Sequence, residues 1–97
     1  MAGASLLFEL KRVYDDGRIV EARIWLVPIA VRGSDHQLKY SLSYGSDGDR
    51  VVGYDNEAGK GDHRHYNDRQ EAYAFTTVEK LVADFLADVS RIRGDAI

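Results

Sequence analysis

Leu38, Tyr40, Leu42 and Tyr44 alternate with Lys39, Ser41 and Ser43, the period of two expected of a strand with one packed face and one wet face. This is the cleanest alternation in the chain and predicts a strand over 38–44. Upstream, residues 5–14 and 19–27 are rich in strand formers and flank Asp16-Gly17, a two-residue hairpin signal. A type I′ turn there sets Asp15 opposite Arg18, and counting outward pairs Arg12 with Glu21 and Phe8 with Trp25. Alternation in this hairpin is imperfect. Phe8, Leu10, Ile19 and Trp25 fall on one face and Leu7, Val13, Val20, Ile24 and Leu26 on the other, so a sheet partly covered on both faces is expected. A helix would lie on one side and a second subunit, forming a homodimer, on the other.

Pro28, the only proline, closes the second strand, and Gly33-Ser34-Asp35 completes the turn. Residues 45–49 read as a loop, 50–54 as a fourth short strand and 73–75 as a last one. Thr76-Thr77-Val78-Glu79 then offers a capping box with Thr76 as N-cap and Glu79 three residues on. Val78, Leu81, Val82, Phe85, Leu86, Val89 and Ile92 recur at helical spacing, with Glu79, Lys80, Asp84, Asp88 and Arg91 on the opposite side and Gly94 as the stop. The expected architecture is α+β: an antiparallel β-meander of four to five strands packed against one long C-terminal helix, in a single domain over 1–97.

The 97 residues suit one modest core. The chain has no cysteine, which excludes a disulfide framework, a zinc ribbon and a thiol nucleophile and suits a reducing cytoplasm. The start, Met1 to Phe8, lacks a basic segment and meets Glu9 too soon for a signal sequence, and no apolar run approaches the roughly 20 residues of a membrane span. A cytoplasmic protein without membrane contact is expected. The formal net charge of −3 argues against broad electrostatic coating of nucleic acid. Lys60, Arg64 and Arg69 nevertheless cluster near His63 and His65, so a local basic patch can sit on an acidic protein.

That cluster carries the candidate chemistry. Residues two apart in an extended segment point the same way, so His63 and His65 project together while Arg64 points away. One neutral imidazole taking a proton from a ribose 2′-hydroxyl, and one protonated imidazole giving a proton to the leaving 5′-oxygen, form the acid–base pair that RNA cleavage needs. Lys60 or Arg64 would neutralise the developing charge on phosphate, Asp62 would orient an imidazole and Tyr54 would assist. Gly59 and Gly61 would let backbone N–H groups approach phosphate oxygens, although the loop lacks the spacing and the Ser/Thr of a nucleotide P-loop. The scheme requires no metal and no other cofactor.

Other readings use the same residues. As metal ligands, His63 and His65 would take Asp62 or Asp55 as the carboxylate, with His36 joining from another strand. As a solvated polar loop, the histidines would cap turns and pair with Asp68 or Glu71. As a non-catalytic binding module, the loop would grip nucleic acid, a nucleotide or a protein partner. The tyrosines at strand spacing read as packing before base stacking. Asp47, Asp49 and Asp55 lack the spacing and the terminal glutamate of a calcium loop.

Val52-Gly53-Tyr54-Asp55-Asn56, then Gly59-Lys60-Gly61-Asp62-His63-Arg64-His65, then Tyr73-x-Phe75 before a helix of the Val-Glu-Lys-Leu-Val-Ala-Asp-Phe type, resemble the TumE family of small proteins assigned as toxins in toxin–antitoxin modules. The resemblance covers about the C-terminal half. It implies a bacterial toxin encoded beside a helix-turn-helix antitoxin that binds it and represses the pair. RNA is the substrate that analogy with other small toxins adds to the residue chemistry.

Overall fold

Six strands form one antiparallel sheet in strict chain order: β1 (Ser5–Val13), β2 (Ile19–Leu26), β3 (Leu38–Ser46), β4 (Asp49–Asp55), β5 (His63–Tyr66) and β6 (Arg69–Ala72), followed by the helix α1 (Val78–Arg93). The structure is a computed structural model that describes residues 3–46 and 48–94. Asp47, one of the three carboxylates weighed for calcium, and Met1 and Ala2 of the expected leaderless start lie outside the described residues. The α+β meander with one C-terminal helix is therefore present, with more strands than the four to five expected. The additional pair arises because His63–Tyr66, expected as loop, is extended and pairs with both β4 and β6. Asn67 turns the β5–β6 hairpin with φ 53, a conformation that asparagine tolerates better than most residues. Tyr73–Phe75, expected as a strand, instead links β6 to the helix.

The first hairpin is displaced by one residue from the expected register. Tyr14 N–H donates to Arg18 O and Gly17 N–H to Tyr14 O, with Gly17 at φ 84. That is a three-residue loop with a left-handed glycine, one residue longer than a type I′ turn. Lys11 consequently faces Glu21, Arg12 faces Val20, and Phe8 faces Ile24. A bulge between Leu6 and Phe8 then brings Leu6, not Phe8, opposite Trp25.

Register fixes the two faces. Val20, Ala22, Ile24, Tyr40, Leu42, Tyr44, Val52 and Tyr54 turn one way and, with Leu81, Phe85 and Val89 of the helix, make up the core. Full burial of side chains of this size contributes roughly 1.5–3 kcal/mol each. The N-cap of α1 is Thr77, whose hydroxyl accepts from Lys80 N–H, one residue later than expected, and Gly94 closes the helix in the left-handed conformation. Arg93 pins the helix end to the first turn by reaching Asp16 and the Tyr44 hydroxyl, both at 3.1 Å. Among the described residues, the opposite face of the sheet has no helix. Glu21, Arg23, Trp25, Lys39, Ser41 and Ser43 lie along it.

Candidate functional site

The pairing of β4 with β5 sets Gly53 opposite His65 and Asp55 opposite His63. Since Tyr54 and Val52 point into the core, these four residues belong to the helix-free face. The expectation that His63 and His65 project together, with Arg64 on the other side, holds in the geometry. The two rings meet edge to face with centroids 4.8 Å apart.

His63 is buried. Its Nδ1 is 2.9 Å from Gly61 O, a carbonyl that can only accept, so Nδ1 carries a proton. Its Nε2 then lies 2.5 Å from Asp55 Oδ1. The two atoms are not aligned as a hydrogen bond, and Asp55 Oδ1 has no hydrogen-bond partner although it is fully enclosed. His65 Nε2 is likewise enclosed and without a partner, 3.8 Å from Asp55 Oδ2. Burial lowers the His65 pKa below its ordinary value, and the nearby Arg50 charge lowers it further. Asp55, His63 and His65 thus offer three donor atoms within 4.8 Å of one another.

A cleft of about 330 Å³ opens above them, with Lys39, Arg50 and Lys60 at its rim. Arg50 approaches Asp55 Oδ2 at 3.3 Å, and Lys60 pairs with Glu57 at 3.1 Å while remaining mostly exposed. Lys39 and Arg50 were not singled out from the sequence. The usable signal was the alternation of β3, which puts Lys39 on the wet face, combined with a β3–β4 pairing that only the fold supplies.

Other expected site residues lie elsewhere. Asp62 accepts from the Ser34 hydroxyl at 2.5 Å and the Tyr40 hydroxyl at 2.8 Å, and lies 2.6 Å from His36 Nε2. It therefore orients His36, not His63 or His65. His36 Nδ1 accepts from Leu38 N–H at 3.2 Å, which fixes the Nε2–H tautomer. Hydrogen bonds from Ser34, His36 and Tyr40 outweigh the opposing effect of burial and keep the Asp62 carboxyl below its usual range. Gly59 N–H donates to Arg32 O at 2.7 Å, and the Gly61 backbone packs against Gly33. These glycines join two loops, and the Gly59 amide is taken up by Arg32 O.

Tyr54 and Arg64 are on the helix side. The hydroxyls of Tyr54 and Tyr66 both donate to Asp88 Oδ2. Burial and the bond to Asp88 push the Tyr54 hydroxyl well above its ordinary pKa, so it stays protonated. Arg64 lies over the Tyr66 and Tyr73 rings and reaches Glu71 at 3.2 Å. Asp84 and Asp88, expected on the solvent side of the helix, instead accept from tyrosine hydroxyls, Asp84 from Tyr73 in the linker after β6 and Asp88 from Tyr54 and Tyr66.

The arrangement on the open face can move protons at two imidazoles, neutralise phosphate charge at three cations, or hold a cation among three converging donors. Among known families, the model described as Toxin TumE matches residues 4–93. The match extends beyond the C-terminal motifs to the first hairpin. No curated protein and no solved structure matches the chain. No helix among the described residues is long and apolar enough to cross a membrane.

Proposed function

The chain belongs to the TumE toxin family, which makes it the toxin of a toxin–antitoxin pair, and from that premise we propose that it acts as an endoribonuclease through the open-face cleft. The observation that carries this reading is the convergence of His63 and His65 beside Asp55 at the floor of a cleft rimmed by Lys39, Arg50 and Lys60. The neutralising partner is a helix-turn-helix antitoxin.

RNA brings its own nucleophile. Its 2′-hydroxyl attacks the adjacent phosphorus while His65, held neutral by burial, takes the proton. The bond from phosphorus to the 5′-oxygen breaks, and His63 in its imidazolium form, with Nδ1–H held by Gly61 O, supplies its Nε2 proton to that oxygen. The products are a 2′,3′-cyclic phosphate and a 5′-hydroxyl. Lys39, Arg50 and Lys60 neutralise the charge that builds on the phosphoryl oxygens. Arg50 and Lys39 take the place that the sequence reading gave to Arg64. In this scheme no metal takes part in the proton transfers.

Purified toxin incubated with single-stranded RNA in chelator-treated buffer is expected to yield fragments with those two end groups. His65→Ala is expected to slow cleavage by roughly 100- to 10,000-fold and to abolish growth arrest on expression. Intact RNA, together with growth arrest that survives both His63→Ala and His65→Ala, would transfer the function to the second class: a non-catalytic module gripping nucleic acid, a nucleotide or a protein partner.

A further inference from the structure

We infer that Asp55, His63 and His65 form a binding site for a divalent first-row transition cation. The three donor atoms lie within 4.8 Å of one another. The inference is independent of the nuclease reading, since it concerns what the cluster holds and not what it does to RNA.

The case rests on lone pairs. Because His63 Nδ1 donates to Gly61 O, the Nε2 of the neutral ring presents a lone pair, and that lone pair faces the oxygen of Asp55 at 2.5 Å. Two lone pairs at this separation repel unless something positive lies between them. A proton on Nε2 would answer that one contact, but the atoms are not aligned for a hydrogen bond. A proton would also leave His65 Nε2 as it stands, enclosed and without a partner. A buried polar atom without a partner is destabilising, and a single cation among the three atoms would satisfy all of them.

The surroundings match a metal centre in two further respects. A ligating histidine ordinarily donates its other ring nitrogen to a carbonyl or carboxylate, which fixes the tautomer, and Gly61 O does this for His63. Arg50 is engaged with Asp55 Oδ2, which leaves Oδ1 for the ion and steadies the carboxylate. Bonds of about 2.0–2.2 Å set neighbouring ligand atoms roughly 3–4 Å apart, so shifts below about 1 Å complete the site. Two imidazoles and one carboxylate favour zinc, cobalt, iron or manganese over magnesium or calcium, which prefer oxygen throughout. Three protein ligands leave a four-coordinate ion one further position for water or another ligand.

The test uses the untagged, metal-stripped full chain, titrated with Zn²⁺ by calorimetry and with Co²⁺ by visible absorption. One ion per chain, d–d bands of a nitrogen–oxygen site and a raised Tm are expected. Asp55→Asn, His63→Ala and His65→Ala should each weaken binding at least tenfold, while His36→Asn, outside the cluster, should leave it unchanged. His65→Gln, a smaller perturbation, serves where the alanine variants fail to fold. Absence of binding at millimolar Zn²⁺, or binding that all cluster variants retain, would overturn the inference. Cleavage assayed in the same titration separates the two readings. Loss of cleavage as the ion binds supports proton transfer by the free imidazoles. Cleavage that requires the ion reassigns that chemistry to ion-bound water and leaves the cation site standing.

Discussion

Arg50 lies across Gly53. A methyl group placed at residue 53 would come within 2.7 Å of Arg50 Cδ and 2.8 Å of Nε, so the absent side chain is what lets the guanidinium run along the open face to Asp55, at 3.3 Å. The clash is with the flexible end of a side chain, not with backbone. Gly53→Ala is therefore expected to shift Tm by only a few degrees, a stability change of about 1 kcal/mol or less. RNA binding and cleavage should fall to the level of Arg50→Ala. Parallel melting curves and cleavage assays on the two variants check this, and full activity in Gly53→Ala would show that the position of Arg50 is immaterial.

Asn56, just past the end of β4, works as a substitute strand residue. It is 1 % exposed, accepts from Tyr40 N–H at 2.9 Å and donates to Leu38 O at 2.7 Å and the Ser34 hydroxyl at 3.2 Å. Asn56→Ala leaves a backbone donor and acceptor of β3 without partners in the interior, at a cost of about 1–3 kcal/mol. Urea unfolding should show the midpoint fall with an unchanged m-value. Asn56→Asp restores the acceptor but not the donor, so it should remain destabilised.

The outline of the fold was legible because its signals are local. The alternation of Leu38 to Tyr44, the glycine at position 17 and the helical stripe from Val78 to Ile92 each reflect short-range geometry. The register of the first hairpin was not legible, since Asp15-Asp16-Gly17 reads equally as a two-residue or a three-residue loop, and the choice moves every cross-strand partner. The site divides in the same way. That His63 and His65 share a face follows from strand periodicity alone. That Asp55 and Arg50 face them, while Asp62 and Tyr54 do not, depends on β4 pairing with β3 and β5, a relationship between distant segments. Asp62 adjoins His63 in sequence, yet the turn directs it to Ser34, His36 and Tyr40.

Arg64 and Arg50 make the distinction measurable. Arg64 lies over the Tyr66 and Tyr73 rings at 5.4 and 6.0 Å on the helix side, and partly exposed cation–π contacts of this kind contribute roughly 0.5–2 kcal/mol. Arg64→Ala should lower unfolding free energy by about that amount and leave cleavage within about threefold of the parent. Arg50→Ala should do the reverse. Equal loss of cleavage in a well-folded Arg64→Ala protein would restore it to the phosphate-binding role.

Asp84 gives the helix side a signature in acid. Burial acts to raise its carboxyl, but hydrogen bonds from Lys80 and Tyr73 outweigh it and hold the pKa below 3.8, the ordinary value. A carboxyl whose folded value is depressed binds fewer protons folded than unfolded, so its stabilising contribution is complete above the unfolded value. It disappears as the pH falls through the folded one. With the side chain 27 % exposed and Lys80 57 % exposed, solvent screening keeps the contribution below about 1 kcal/mol. Asp84→Asn can still accept from the Tyr73 hydroxyl but carries no charge for Lys80. Its unfolding free energy should therefore lie below the parent's at neutral pH and converge with it as the pH falls below the ordinary carboxyl value of 3.8. Urea titrations at stepped pH check the convergence, and a constant offset down to pH 2 would place the contribution of Asp84 in packing and not in its charge.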